Sequence, residues 1–378
     1  MKITAVKPAK LKGSKATFKV TGGEIAAATG KGTITQGGGL KVKAGKKSVT
    51  LKSFSLNTKT KSLSAKVGGK TVKLATLAGV SNSRLGFGNS IAAKKLKLTS
   101  AGAKALNKAL VPKGSKAIFK ANTVLGGSTT KVEPETDNVL ATGDMTFAGN
   151  ETLLGKLGKA GVSIELISPT TETAGLTFAS PLSGGTISPL GTSGTVNSSG
   201  GLKLTQKLTL EAQSHPEANT TITLGSIGVD LAAKTASVEV IGESTFVDPT
   251  NTKEEKKPLN LGNLGRSSIA DLTITSSTPD SATRTVAVNA TGTIQAVAAE
   301  VLNGFVLVHE IKKVEELTPE EAEKAYIEAA LAGEPISEEE AAKIGQERAE
   351  KKAAEEAKEL EIKSGETLGT YSFTATGE

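Results

Sequence analysis

The chain repeats itself, and in the same order. Ile3-Thr-Ala-Val-Lys-Pro8 is matched by Ile164-Glu-Leu-Ile-Ser-Pro169, and Phe18 with Gly22-Gly23 by Phe178 with Gly184-Gly185. Gly32-Thr-Ile34 is then matched by Gly194-Thr-Val196, and Gly38-Gly-Leu-Lys-Val42 by Gly200-Gly-Leu-Lys-Leu204. Lys61 to Val67 against Lys234 to Val240, and Phe119 to Gly126 against Ile362 to Gly369, continue the series. A colinear series of this kind reads as one unit used twice, dividing the 378 residues into domains at 1–136 and 137–378.

Within each copy the pattern is that of strands. Apolar and polar residues alternate in Lys41 to Leu56, Ser62 to Leu74, Leu202 to Leu210 and Ala236 to Val240, each run bounded by Gly, Asn-Thr or Ser-Gly turns. With 42 Gly, nine Phe, two Tyr and no Trp, the core must come from Val, Leu, Ile and Ala. The expected class is mainly β: two tandem antiparallel β-sandwich-like domains or open barrels. Phe18, Phe54, Phe87 and Phe119 fall at core positions. One short helix per copy is expected, at Ala101 to Leu110 capped by Ser100 and at Gly292 to Leu302.

The second copy carries an insertion, Lys312 to Leu360, which reads as an α-helical hairpin. Thr318-Pro319-Glu-Glu321 has the form of a capped helix start, Gly333 of a stop, and Ser337-Glu-Glu-Glu340 of a second start. A further helix, Asn150 to Ala160, follows a strand ending at Phe147 and precedes the match to Met1. The first copy has no equivalent of this strand and helix, so the chain reads as starting inside a unit, and any signal peptide would precede it. No segment approaches the ~18 apolar residues of a membrane span.

Charge is divided unevenly. Met1 to Lys131 holds 27 basic residues against one acid, Glu24, while the remainder holds 19 basic and 37 acidic residues. Glu315 to Glu361 has sixteen acids and six bases. A basic block with a single acid suits an anionic partner such as a cell-wall polymer, or another surface protein; it also serves simply to keep a sheet surface soluble. Nucleic acid is disfavoured because the phenylalanines sit at core positions and not among the lysines, where stacking would need them.

Chemistry is scarce. There is no cysteine, and no serine-elbow or paired-histidine metal motif. Gly39 to Gly45 misses phosphate-loop spacing by one residue and places Lys47 where Ser or Thr is required. The candidate ligands are few: His309 at the end of the apolar run Val306-Leu-Val308, His215 before Pro216 in a polar loop, and Tyr371 on a closing strand. An exposed strand-end position is expected for His309 and a half-buried one for Tyr371. With no cluster of titratable groups, the chain reads as no enzyme.

The repeated order Gly-Gly-x-Ile, Gly-Thr-[Ile/Val], Gly-Gly-Leu, a turn such as Asn57-Thr-Lys59, then Leu-x-Ala-x-Val resembles the HtaA domain of actinobacterial secreted and surface proteins. That resemblance implies a β-rich domain at the cell surface, often in tandem, acting as a binding module. For haem-binding members it implies a tyrosine ligand supported by a histidine. The first copy contains neither residue type, so the scaffold and location are carried over without a cofactor. Haem capture by the second copy, through Tyr371 with His309 or His215, is the alternative.

Overall fold

Alternating side chains and left-handed glycine turns fold the chain into two units, Met1–Glu135 with Glu378 and Thr136–Gly377. The computed structural model describes residues 1–209, 217–244, 259–334 and 336–378. His215 lies outside these.

The first unit runs β1 (Lys2–Val6), β2 (Lys10–Lys12), β3 (Lys15–Thr17), β4 (Lys19–Ala26), β5 (Lys31–Ala44), β6 (Lys47–Asn57), β7 (Ser62–Val67), β8 (Lys70–Leu85), β9 (Gly88–Leu98), α1 (Ser100–Leu110) and β10 (Val124–Val132). Apart from the β2–β3 hairpin, the strands form one antiparallel sheet ordered β1-β5-β6-β7-β8-β9-β10, with β4 also on β5. Gly45, at φ 57°, supplies the left-handed turn between β5 and β6. One sheet face is apolar and α1 covers part of it, with Ile34, Leu56, Leu77, Ile91 and Ala93 forming a second cluster. Ala103, Leu106 and Leu110 pack on Val42, Val49, Leu51, Phe54, Val67 and Leu74. Phe54 and Phe87 are buried, and Phe18 and Phe119 pack at the margin of this core, as their spacing led us to expect. Thr99, rather than Ser100, caps α1, its hydroxyl accepting from the Gly102 amide at 2.9 Å.

The second unit runs β11 (Asp137–Asn138), β12 (Asp144–Gly149), α2 (Glu151–Lys159), β13 (Val162–Ile167), β14 (Thr171–Ala174), β15 (Thr177–Ile187), β16 (Thr195–Ser198), β17 (Gly201–Thr209), β18 (Glu217–Asp230), β19 (Thr235–Ser244), β20 (Leu259–Asp280), β21 (Thr285–Ile294), α3 (Ala296–Leu331), α4 (Glu338–Leu360) and β22 (Thr367–Thr376). Here the sheet closes on itself. β12 pairs with both β15 and β22, while β16 joins β15 to β18, completing the circuit β12-β22-β21-β20-β19-β18-β16-β15. The two faces of the expected sandwich are thus one curled sheet, and closure leaves those strands without free edges. Asn150 caps α2 through its side chain, and Gly161, at φ 81°, follows its end, as the sequence indicates.

α3 departs from expectation. It begins at Ala296, not Gly292, and continues unbroken to Leu331 through Thr318 and Pro319, which were read as a helix start. The capping signal there is overridden because α3 is anchored upstream by Ala299, Leu302, Phe305 and Val306 in the core. Thr318 donates its hydroxyl to the Val314 carbonyl at 2.6 Å, one turn before it. The stop at Gly333 and the restart capped by Ser337 stand as read. α4 returns along α3 on a stripe of small residues spaced four apart, Ala341, Gly345, Ala349, Ala353 and Ala357, all buried. At Gly345 a Cβ would lie 2.5 Å from the Ala322 amide nitrogen, so the helices touch backbone to backbone.

Only the base of this hairpin reaches the core, where Ala357 and Leu360 join Phe305 and Val306. Tyr326, Ile327 and Leu331 near its tip are exposed. Replacing the segment from Glu316 to Ala349 with a short Gly-Ser linker should therefore shift the Tm by only a few degrees in circular dichroism. Leu360→Ala should instead cost ~2–5 kcal/mol in denaturant unfolding.

Candidate functional site

The functional geometry starts from a strand that changes neighbours. In the first unit, β5 pairs with β4 up to the Lys19–Gly37 pair and with β1 from the Val6–Gly39 pair onward. On its other side the register with β6 slips between Gln36–Phe54 and Gly39–Lys52, so Gly37 and Gly38 face Ser53 alone. Two residues opposite one make a β-bulge, which bends the strand and opens the ladder. Gly38 stands at φ 90°, and Ser53, with no glycine's freedom, at φ 53°. A Cβ on Gly38 would run into Ala9 and Val6, so only glycine fits the crossing.

At this crossing the sheet leaves a cavity of about 380 Å³, lined among others by Lys7, Thr21, Gln36, Gly37, Lys52 and Ser53. That is within the size range of small-molecule sites. Thr21 and Thr35 hydrogen-bond at 3.4 Å on its wall. Lys7, Lys52, Ser53 and Ser55 have no side-chain hydrogen bond or ion pair among the described residues.

Lys52 also belongs to a larger feature. Directly paired residues share a sheet face, as do residues two apart. Lys2 pairs with Lys43, Lys41 with Thr50, Lys52 with Lys66, Ser64 with Lys73, and Thr76 with Lys97. These lysines, with Lys95 two residues from Lys97, lie across six neighbouring strands on the face opposite α1, and all are exposed. Ser48, Thr50, Ser64 and Thr71 stand between them. The sole acid of residues 1–131, Glu24, is on β4 and outside this ladder. A face of ammonium and hydroxyl groups has donors to offer and no carboxylate to neutralise them.

The second unit repeats the crossing and ties it with hydroxyl hydrogen bonds. Gly200 has φ 84° and Ser226 φ 44°, and the Gly201–Gly225 pair replaces Gly39–Lys52. Thr170 and Ser180 hydroxyls lie 2.8 Å apart, the Gly201 amide donates to Thr170 Oγ1 at 2.8 Å, and Ser199 donates to the Pro181 carbonyl at 3.3 Å.

Of the residues proposed from sequence as haem ligands, Tyr371 and His309 lie among the described residues and His215 lies outside them. Tyr371 is only 2% exposed and so far more buried than expected, because β22 is an inner strand of the closed sheet between β12 and β21. Its ring packs on Phe147 with centroids 5.0 Å apart, over Gly292, where a Cβ would come within 2.8 Å of it. His309 is no strand-end residue: it sits inside α3, buried, because the apolar run before it is helical and faces the core and α4. Its Nε2 lies 3.3 Å from Glu356 Oε1 on α4. Among the described residues no group of three or more His, Asp or Glu could hold a metal ion.

No family model matches the chain, and no curated protein matches it. It is similar to solved HtaA and HtaB domains. The C-terminal domain of HtaA from Corynebacterium glutamicum aligns at 12% identity and TM-score 0.33, over 64% of this chain and 98% of that one. The haem-binding protein HtaB of the same organism aligns at 14% identity and TM-score 0.33, over 64% and 95%. The N-terminal domain of HtaA aligns at 14% identity and TM-score 0.32, over 64% and 99%. These are domains of the kind that the sequence resembles.

Sequence reasoning passed over the cavity residues. The signal that could have found them was the mismatch between otherwise parallel copies, Lys7 against Ser168 and Lys52 against Gly225.

Burial raises the pKa of Tyr371 well above the ordinary tyrosine value. A group whose pKa is higher folded than unfolded adds stability that is complete below its unfolded value, about 10, and is lost as pH rises past it. In a Tyr326→Phe background, where Tyr371 is the only tyrosine, tyrosinate absorbance should stay absent above that pH until the second unit unfolds. A reversible titration near pH ~10 in folded protein would contradict the buried placement.

Proposed function

We propose that this protein is a non-catalytic binding module of the cell surface, and that its first unit holds an anionic polymer of the envelope on its lysine face. One observation carries this reading: the acid-free array of lysines across six adjacent strands, with hydroxyl residues between them. Ammonium groups fixed at the strand and residue spacings of a sheet repel one another, and a polymer with regularly spaced phosphates or carboxylates relieves that repulsion while releasing its counterions. A single-sign field of this extent is what steers and holds an oppositely charged partner. The placement at the surface is supported by the HtaA-like order of sequence elements. No described helix is long and apolar enough to cross a membrane.

The full chain should bind immobilised teichoic acid at low salt, with log affinity falling linearly with log salt concentration. Reversing Lys41, Lys43 and Lys66 to Glu should weaken binding about tenfold or more, whereas Lys104→Glu with Lys108→Glu, on the exposed side of α1, should do much less. Equal losses from both sets would reduce the effect to net charge and defeat the proposed face.

Haem capture by the second unit is the competing reading. Against it stand the surroundings of two of its residues: Tyr371 is sealed against Phe147, and His309 is engaged with Glu356 on the hairpin. Haemin added to the protein should give no saturable Soret shift. A shift saturating at one haem per chain and abolished by Tyr371→Phe would reinstate the haem reading.

A further inference from the structure

We infer that the cavity at the β5 crossing is a subsite for one anionic sugar unit, with Lys7 and Lys52 holding its phosphate or carboxylate. The inference rests on the polymer-binding reading and narrows it, since Lys52 stands both in the lysine face and in the cavity wall.

The comparison between the two units carries the argument. Both build the same bulge, with glycine at φ 90° or 84° in one strand and serine at φ 53° or 44° in the next. In the second unit hydroxyls tie the crossing together: Thr170 and Ser180 bond to each other, Thr170 accepts from the Gly201 amide, and Ser199 donates to the Pro181 carbonyl. In the first unit Gly37, on the cavity wall, stands where the second unit has Ser199, and Ala9, beside Gly38, where it has Thr170, so neither hydroxyl is present. Lys7 replaces Ser168 and Lys52 replaces Gly225, which adds two cations at the opening. Hydroxyls have given way to charge.

The contents of that space are constrained by its walls. Two ammonium groups with no partner among the described residues call for an anion. A bare phosphate would leave most of about 380 Å³ unfilled. Thr21, Ser53, Ser55 and Gln36 offer hydroxyl and amide groups, which pair with the hydroxyls of a sugar or polyol rather than with an apolar body. The fitting ligand is therefore a hydroxylated unit bearing one negative group, such as a repeat of a polyol-phosphate or uronate polymer.

The test uses the full chain and amide chemical shifts, titrated with glycerol phosphate, glucuronate, inorganic phosphate and glucose. Glycerol phosphate or glucuronate should saturate shifts at Gly37, Lys52 and Ser53, with glucose silent and inorganic phosphate weaker; which of the two binds more tightly identifies the polymer class. Lys7→Ser with Lys52→Gly, the second unit's own residues, should weaken fragment binding about tenfold or more. Gly37→Ser, whose Cβ would meet Thr21 at 2.8 Å, fills the cavity and should do the same without removing charge. Lys95→Ala with Lys97→Ala should leave fragment binding intact while weakening the polymer. Teichoic acid binding without any localised fragment site would overturn the subsite and leave the lysine face standing. Fragment binding in a protein that ignores the polymer would keep the subsite and overturn the face. Fragment affinities unchanged by the cavity substitutions would overturn the assignment to this cavity.

Discussion

The cavity of the first unit depends on β5 exchanging one neighbour for another within two residues. A strand can pair with only one partner per edge, so to serve β4 and then β1 it must bend, and the bulge at Gly37 and Gly38 is where it does so. The bend needs a residue at positive φ with another backbone against its α-carbon, which only glycine tolerates at Gly38. It also forces Ser53 of β6 into the left-handed region, at a local cost borne by the long ladders on either side. The cavity is the void that this geometry leaves, and side chains decide whether it is filled.

The helical hairpin follows from a second repeated device. In the first unit Asn107 of α1 donates to the Phe119 carbonyl at 2.8 Å and accepts from the Phe119 amide at 2.9 Å. In the second, Asn303 of α3 makes the same pair with Ile362, both at 2.9 Å. The asparagine clasps the returning chain at a fixed place, whatever lies between. Ten residues or so bridge the gap in one case; in the other α3 simply keeps going and α4 brings the chain back. Loop closure is only weakly sensitive to length, so a long helical excursion between clasped ends is tolerated. Gln206 adds a clamp particular to the second unit, donating to the carbonyls of Ala160 at 2.6 Å and Phe305 at 2.8 Å, which ties α2 and α3 to the sheet.

Electrostatics divides the labour between units. The lysines of the first unit face outward because the other side of each strand is taken by Val, Leu and Ala beneath α1, and a sheet offers no third direction. Some acids of the hairpin are paired locally, as where Lys352 and Lys324 reach Glu321 at 2.6 and 3.2 Å and hold its carboxyl below the usual range. The lysine face lacks such compensation, which is the physical ground for giving it an anionic partner.

The sequence alone determined the strand-rich class, α2 with its cap, and a helical hairpin turning at Gly333, since each rests on local periodicity or on a residue with a strong backbone preference. It also displayed the charge division, which needs no coordinates. Tertiary structure decided the rest. Whether a sheet curls shut depends on β12 meeting β15 and β22, contacts among segments far apart in the chain. Thr318-Pro319 reads locally as a helix start but is carried through by a helix anchored thirteen residues earlier at Phe305. Val306-Leu-Val308 fits strand or helix equally by composition, so the burial of His309 could not be read from it. Tyr371 was misjudged for a related reason: alternation tells which face a residue takes, but only strand order tells whether that face is sealed. The cavity lay beyond local reading altogether, because a space is defined by the groups around it, and Lys7, Gln36 and Lys52 become neighbours only when β1, β5 and β6 are laid side by side.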